Sequence, residues 1–390
     1  MNYWFGQIPV GWRVMKLKHL CQIKTQKTNI KTNYVGLENI ASGTSEFVFV
    51  ETEPEGDNLI FNKNDVLFGK LRPYLAKVWL ADKDGCCSSE FLVLHSDILI
   101  PEYLKYLLLS PKFIDRVNGS TFGSKMPRAN WEFIGNQWMP VPPGEEQQEI
   151  VDELNGKISV VDKLTNDVNR KIKLLSEYRQ ALIDFKVSGG GDGKQFEGSK
   201  RIALRRLVKI DPNTVLPKIG CVEYLPMEQI KRGIFIHRKA ELSKLPLSLN
   251  AFAEGDILLA KVTPCFENGN LCRAENLCNG VGCCSTELFV IRCQSELIEP
   301  DFLLLLFQQE KFRQEAIKMM RGTGGLKRIP VDWLQNYKIE VPERKKQIEI
   351  VDFVREESRK INFCINKLKN EVIKLGEYRC SFISYKVLGE

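Results

Sequence analysis

Histidine is scarce in this chain, with three among 390 residues, and that scarcity argues against imidazole-based metal sites and acid/base pairs. Cysteine is more plentiful at twelve, yet no C-x-x-C pair occurs, so the common zinc and dithiol spacings are missing. The Cys86-Cys87 and Cys283-Cys284 pairs fall in strand-like surroundings and read as free thiols, and the group Cys265, Cys272, Cys278 and Cys283 matches no standard metal spacing. Long hydrophobic runs are absent too. The longest, Phe302 to Phe307, is far short of the roughly 20 residues that cross a bilayer. Met1 to Leu20 mixes aromatics with the charges of Arg13, Lys16 and Lys18 and lacks the apolar stretch of a secretory signal. A cytoplasmic location, no metal and no membrane contact are therefore expected.

What is present is an ordinary globular composition, 43% hydrophobic and 27% charged, which excludes a disordered chain and leaves room for two or three domains. The net charge of +7 suits a partner rich in phosphate. That excess is not concentrated in either half: residues 1–145 hold sixteen basic and fifteen acidic side chains. A nucleic-acid face must then arise from local placement, with acidic runs such as Glu51, Glu53, Glu55 and Asp57 turned elsewhere.

One pattern is written twice. Val141 to Gly189 returns without gaps 200 positions later, at Val341 to Gly389, with Glu149-Ile150-Val151-Asp152 against Glu349-Ile350-Val351-Asp352 and Glu177-Tyr178-Arg179 against Glu377-Tyr378-Arg379. Apolar residues at Ile150, Leu154, Ile158, Val161, Leu164, Val168, Ile172, Leu175, Tyr178, Leu182 and Phe185 recur at a mean step near 3.5, the spacing of a coiled-coil seam. The second copy runs through Ile350, Val354, Ile361, Ile365, Leu368, Val372, Leu375, Tyr378, Phe382 and Tyr385, with Ser358 as a polar interruption. Each forty-residue rod would be about 60 Å long. The two rods are expected to pack on each other, with Ile150, Leu154, Val161, Val168, Leu175, Leu182, Ile350, Val354, Ile361, Leu368, Leu375 and Phe382 between them. The pattern leaves their relative direction open.

The repeat continues outside the rods. Tyr34 to Ile40 lines up with Tyr224 to Ile230, Asp65 to Lys70 with Asp256 to Lys261, Gly85 to Phe91 with Gly282 to Leu288, and Trp131 with Trp333. Short Val-, Ile-, Phe- and Tyr-rich runs between Gly, Asn, Asp and Pro read as strands, while Glu102 to Val117 and Asp301 to Met320 read as helices. The fold class is α+β: two similar mixed lobes at 1–140 and 201–340, helical spacers at 141–188 and 341–390 packed as a coiled coil, a linker at 189–200, and an internal pseudo-twofold repeat. Ser188 to Lys194 is that linker rather than a P-loop, because Gln195 stands where a hydroxyl is needed and a helix precedes it.

Tyr34 to Ile40, the rod openings Pro142 to Gln147 and Pro342 to Gln347, and the order lobe, rod, lobe, rod resemble the DNA-specificity subunit of type I restriction-modification systems. The resemblance covers essentially the whole chain. Departures are Pro226 for Gly36, and the loss of one proline and the acidic pair at Pro342-Glu343-Arg344-Lys345-Lys346. It implies two target-recognition domains, each reading one half of a split double-stranded DNA site, on spacers that dock two modification (methyltransferase) subunits, with restriction and motor subunits added. It also implies no catalysis and no cofactor in this chain, with S-adenosylmethionine, ATP and Mg in the partners. The residues agree: no Asn-Pro-Pro-aromatic or Asp-Pro-Pro-aromatic tetrapeptide and no Walker motif occurs. A coiled-coil adaptor whose lobes bind proteins remains the alternative class.

Two groups per lobe suit DNA. The loops Gly119 to Arg128 and Arg321 to Arg328 combine small residues, hydroxyls and cations, giving Thr121, Ser124, Lys125, Arg128, Arg321, Thr323, Lys327 and Arg328 as candidate contacts. Lys70, Arg72 and Lys261, just after a strand, form the other group, with ion pairs to Glu38, Glu228, Glu90 or Glu287 as their rival role. Tyr34, Tyr224, Trp131 and Trp333 are expected to be core anchors.

Overall fold

Apolar runs without a polar break become central strands. Val66–Gly69 and Ile257–Ala260 are buried along their whole length, as strands covered on both faces are. The computed structural model describes residues 3–29, 32–52, 56–121, 126–190, 196–217, 220–231, 233–246, 248–322 and 325–389. It divides into two units, one of Met1–Arg170 with Leu368–Glu390 and one of Lys171–Lys367. The division runs through both long helices, Gly144–Val187 and Arg344–Leu388, rather than at their ends.

In the first unit, an antiparallel sheet in the order Gln22–Lys24, Phe91–His95, Val66–Gly69, Val78–Leu80 stands beside a second sheet in the order Lys27–Thr28, Asn58–Phe61, Gly85–Ser88, Tyr34–Val35. Tyr34–Val35 pairs parallel to Gly85–Ser88; the other pairings are antiparallel. A short pair, Arg13–Lys16 with Trp138–Val141, leads into the first long helix. The second unit repeats the plan with Val208–Ile210, Leu288–Cys293, Ile257–Ala260, Leu271–Arg273 in one sheet and Lys239–Glu241, Cys221–Leu225, Val281–Cys284, Asn250–Ala253 in the other. The copies differ at one edge. Lys27–Thr28 adds to Asn58–Phe61, whereas Lys239–Glu241 adds to Cys221–Leu225, the counterpart of Tyr34–Val35.

The helices expected at Glu102 to Val117 and Asp301 to Met320 are each broken in two: Pro101–Leu109 and Pro111–Gly119, then Pro300–Gln308 and Glu310–Met319. In the first lobe Ser110 is extended because the following Pro111 disfavours the α region before it. In the second no proline is needed, since Asp184 Oδ1 accepts from the free Glu310 N–H at 2.9 Å and starts the new helix there. The repeat register also needs correction. Ile134 and Leu334 are both fully buried, and both following strands end at Val141 and Val341. The offset there is 200, so Trp333 corresponds to Phe133 and Trp131 to Val331. Tyr34, Tyr224, Trp131 and Trp333 are only half-buried; Tyr103, Phe5, Phe61, Phe252 and Phe302 are among the largest fully buried side chains.

Each unit contains the start of one long helix and the end of the other. In the first, Arg379 Nε lies 3.1 Å from Asp162 Oδ1 and Lys386 Nζ 2.5 Å from Glu153 Oε2, so the segments run antiparallel. In the second, Arg179 Nη1 donates to Asn362 Oδ1 at 2.7 Å and Lys186 Nζ sits 4.1 Å over the Phe353 ring, again antiparallel. Each pair is the other's image by a shift of 200 in both numbers. Of the expected packing residues, Ile150, Leu154, Val161, Ile350, Val354 and Ile361 are buried, and Val168, Leu175, Leu182, Leu368, Leu375 and Phe382 half-buried. Leu164, Tyr178, Phe185, Tyr378 and Tyr385, extrapolated on the same step, are exposed. A straight α-helix drifts about 20° per heptad against a 3.5-residue repeat, and toward the helix ends the inward positions become Ile183, Val187, Ile383 and Val387. These close the lobe cores: Ile383, Val387 and Leu388 join Trp12, Tyr103 and Leu154, while Ile183 and Val187 join Leu204, Leu334 and Ile350. Gly389, at φ +72°, ends the second helix where a Cβ would meet Pro9 Cδ at 2.3 Å.

Leu154 is fully buried in the first core. Leu154→Ala should lower stability by about 2–5 kcal/mol in chemical unfolding, whereas exposed Leu164→Ala should change it little. Equal effects of the two would contradict this packing.

Candidate nucleic-acid interface

Lys70 leaves the buried strand Val66–Gly69, and Arg128 lies just before the helix Trp131–Gly135. Backbone groups join them. Leu71 and Arg128 form an antiparallel bridge; Arg72 N donates to Pro127 O at 2.8 Å and Ala129 N to Lys70 O at 2.9 Å. Two candidate groups far apart in sequence thus become one edge. Arg72 takes φ +52° there, an unusual conformation for a side-chain-bearing residue that the Pro127 carbonyl helps to hold.

The second lobe builds the same edge. Val262 and Arg328 form the bridge, Thr263 N donates to Lys327 O at 3.0 Å and Ile329 N to Lys261 O at 2.9 Å. Thr263 Oγ1 adds a bond to Gly325 O at 2.8 Å and accepts from Lys327 N at 2.9 Å. Arg321 and Arg328 exchange backbone bonds of 2.9 and 2.8 Å.

A glutamate grips the arginine in both lobes. Arg128 donates through Nε to Glu90 Oε2 at 3.0 Å and through Nη2 to Glu90 Oε1 at 2.6 Å. Arg328 does the same to Glu287, at 3.1 and 2.7 Å. The arginine side chains remain 58% and 54% exposed while those of Glu90 and Glu287 are 22% and 33% exposed, so the glutamate is the inner partner. Both glutamates are themselves anchored, since their carbonyls accept from Lys70 N at 2.9 Å and Lys261 N at 3.0 Å. The bidentate bonds from Arg328 hold the Glu287 carboxyl below the usual carboxylate range.

The pairing expected as the lysines' rival role therefore falls to the arginines. Among the described residues, Lys70, Arg72, Arg321 and Lys327 make no side-chain ion pair, and Lys261 Nζ lies 5.0 Å from the Phe289 ring centroid. Thr121 Oγ1 donates to Asn118 O at 2.7 Å, so that proton closes the helix Pro111–Gly119. Ser124, Lys125 and Thr323 lie outside the described residues. Arg321 also borders a groove of about 450 Å³ with Arg201, Lys311, Trp333, Tyr337 and Lys338. Glu90 and Glu287 as orienting groups, and this groove, went unread in the sequence; the available signal was the repeated Ser88-Ser89-Glu90 and Ser285-Thr286-Glu287. Among the described residues no group of three or more His, Cys, Asp or Glu could hold a metal ion, and no helix is long and apolar enough to cross a membrane.

Residues 9–174 match the family described as the type I restriction modification DNA specificity domain. The specificity subunit of type I restriction enzyme EcoAI from Escherichia coli is 32% identical over 159 residues, covering 40% of this chain and 27% of the relative. That of EcoEI, also from Escherichia coli, is 33% identical over 167 residues, covering 41% and 28%. The chain thus spans little more than a quarter of the length of these two relatives. The MjaVIII specificity subunit of Methanocaldococcus jannaschii is 24% identical over 414 residues, covering 95% of this chain and 92% of the relative. Two solved structures share the fold over 98% of both chains. One, from work on complex assembly and conformational transition of the type I R-M system, superposes with a TM-score of 0.68 at 18% identity. The other is the HsdS subunit of Thermoanaerobacter tengcongensis, with a TM-score of 0.51 at 19% identity.

The Glu287 carboxyl lies below its ordinary value in the folded chain, so its pair with Arg328 adds stability above the unfolded carboxylate range and loses it as pH falls through the depressed value. The stability difference between the parent chain and Glu287→Gln should therefore be full at neutral pH and shrink on acidification. A difference that grew toward acid in urea unfolding would contradict the pairing.

Proposed function

We propose that this chain is a DNA specificity subunit of a type I restriction-modification system, a reading supported by the family match over residues 9–174, and that each lobe reads one half of an asymmetric, bipartite double-stranded DNA target. The observation that carries this reading is the doubled basic edge: Lys70, Arg72 and Arg128 in one lobe, Lys261, Lys327 and Arg328 in the other, each set on the same backbone bridge. Cations without a local carboxylate suit phosphate oxygens, which position a protein on the duplex, while groups of fixed geometry suit base edges. The loops around the bridges differ in sequence between the lobes, so the two half-sites differ. Ser124, Lys125 and Thr323 belong to the same proposed contacts.

On this reading the chain is a non-catalytic scaffold. The long helices dock two modification subunits, which hold S-adenosylmethionine and methylate the DNA; ATP and Mg serve restriction and motor subunits. The exposed Leu164, Tyr178, Phe353, Phe363, Ile373 and Tyr378 offer apolar surface on the helices for such docking.

Replacing residues 1–140 by those of a related chain should change only one half of the methylated sequence in the assembled complex, read by mapping methylated adenines. A swap that rewrote both halves, or neither, would overturn the one-lobe, one-half-site reading. The purified chain alone should transfer no methyl group, and transfer without a partner would overturn its role as a scaffold.

A further inference from the structure

The grip of glutamate on arginine leaves a particular edge free. A guanidinium has a side edge, Nε with one N–H of Nη2, and an end edge formed by Nη1 with the other N–H of Nη2. Glu90 occupies the side edge of Arg128, and Glu287 that of Arg328. Among the described residues nothing takes the end edge, and both side chains are more than half exposed. Its two parallel N–H groups match the O6 and N7 acceptors that guanine shows in the major groove. Resting on the proposed DNA reading, we infer that Arg128 and Arg328 each read one guanine, one per half-site, and that Glu90 and Glu287 are positioning residues that aim them.

The alternative target of an end edge is a phosphate, and local charge favours the base. The carboxylate cancels most of the field of its arginine, removing the long-range attraction from which a phosphate contact gains most. It also fixes the fork in orientation, which hydrogen bonding to a base edge requires. Phosphate contacts fall to Lys70, Arg72 and Lys327, which have no side-chain ion pair among the described residues. The same arrangement in two lobes whose surrounding loops differ points to a shared task at different target positions. The anchoring is equally shared, with backbone bridges on one side of each arginine and a bonded glutamate carbonyl on the other.

The test uses the full chain with its modification partner, on duplexes carrying the methylation-mapped target, with each guanine replaced singly by 7-deazaguanine. That base pairs normally but lacks N7. One guanine in each half-site should prove sensitive, weakening binding about 5- to 150-fold. Arg128→Ala should abolish the sensitivity in one half-site and leave the other intact; Arg328→Ala should do the reverse. Arg128→Lys keeps the charge and loses the fork, so it should lose the sensitivity with no change in salt dependence. Glu90→Gln should reduce the sensitivity at the Arg128 guanine alone, a selective effect that general loosening of the lobe would not give. Sequence-specific binding with no sensitive guanine overturns the inference, as does a uniform loss in Arg128→Ala on all sequences with a flattened salt slope, the mark of a phosphate contact. Absence of sequence-specific binding in the parent chain would instead overturn the DNA reading itself.

Discussion

Neither lobe closes its hydrophobic core with its own strands and short helices. In the first unit the remaining gap is filled by Ile383, Val387 and Leu388 from the last turns of the second long helix; in the second, by Ile183 and Val187 from the last turns of the first. Burial of apolar side chains is worth roughly 1.5–3 kcal/mol each. Polar bonds then set the axial position of each helix end. In the first unit Tyr103 Oη donates to Val387 O at 3.1 Å, and Arg379, 7% exposed, bonds Asp162 and the Gly43 and Thr44 carbonyls. In the second, Asp184 and Gln180 accept from and donate to the turn between Pro300–Gln308 and Glu310–Met319. A helix end used this way cannot slide, because a shift of one residue would rotate its buried face by about 100°.

That rigidity reaches the basic edges through short steps. In the first unit Arg379 holds the Gly43 carbonyl, Gly43 N donates to Ala76 O at 3.2 Å, and Ala76 ends the turn that begins beyond Arg72. Lys70 and Arg128 share the strand edge on the other side of that turn. The backbone at Lys70, Arg72 and Arg128 is thus held by backbone bonds. A reading surface benefits from such preorganisation, since less freedom is lost when it binds.

Much of this was legible in the sequence because the repeat doubles every signal. The buried strands Val66–Gly69 and Ile257–Ala260 and the long helices all follow from local pattern. What escaped depends on tertiary partners. Helix direction is invisible to a periodic seam. The break at Gln309 rests on Asp184, more than a hundred positions away, and the edge that gains Lys239–Glu241 in one lobe but Lys27–Thr28 in the other is a choice between two open strands. Glu90 and Glu287 were recognised as partners for a cation, but which cation depended on the bridge at Leu71 and Val262, where the arginine rather than the lysine faces the carboxylate.

The central claim is that one lobe meets one half of the target. A photo-crosslinking residue in place of Lys70 or of Lys261, in the complex bound to its duplex, tests it most directly. Crosslinks from the two positions should map to opposite halves of the recognised sequence, with none in the spacer between them. Crosslinks from both positions in the same half, or from neither, would contradict the account.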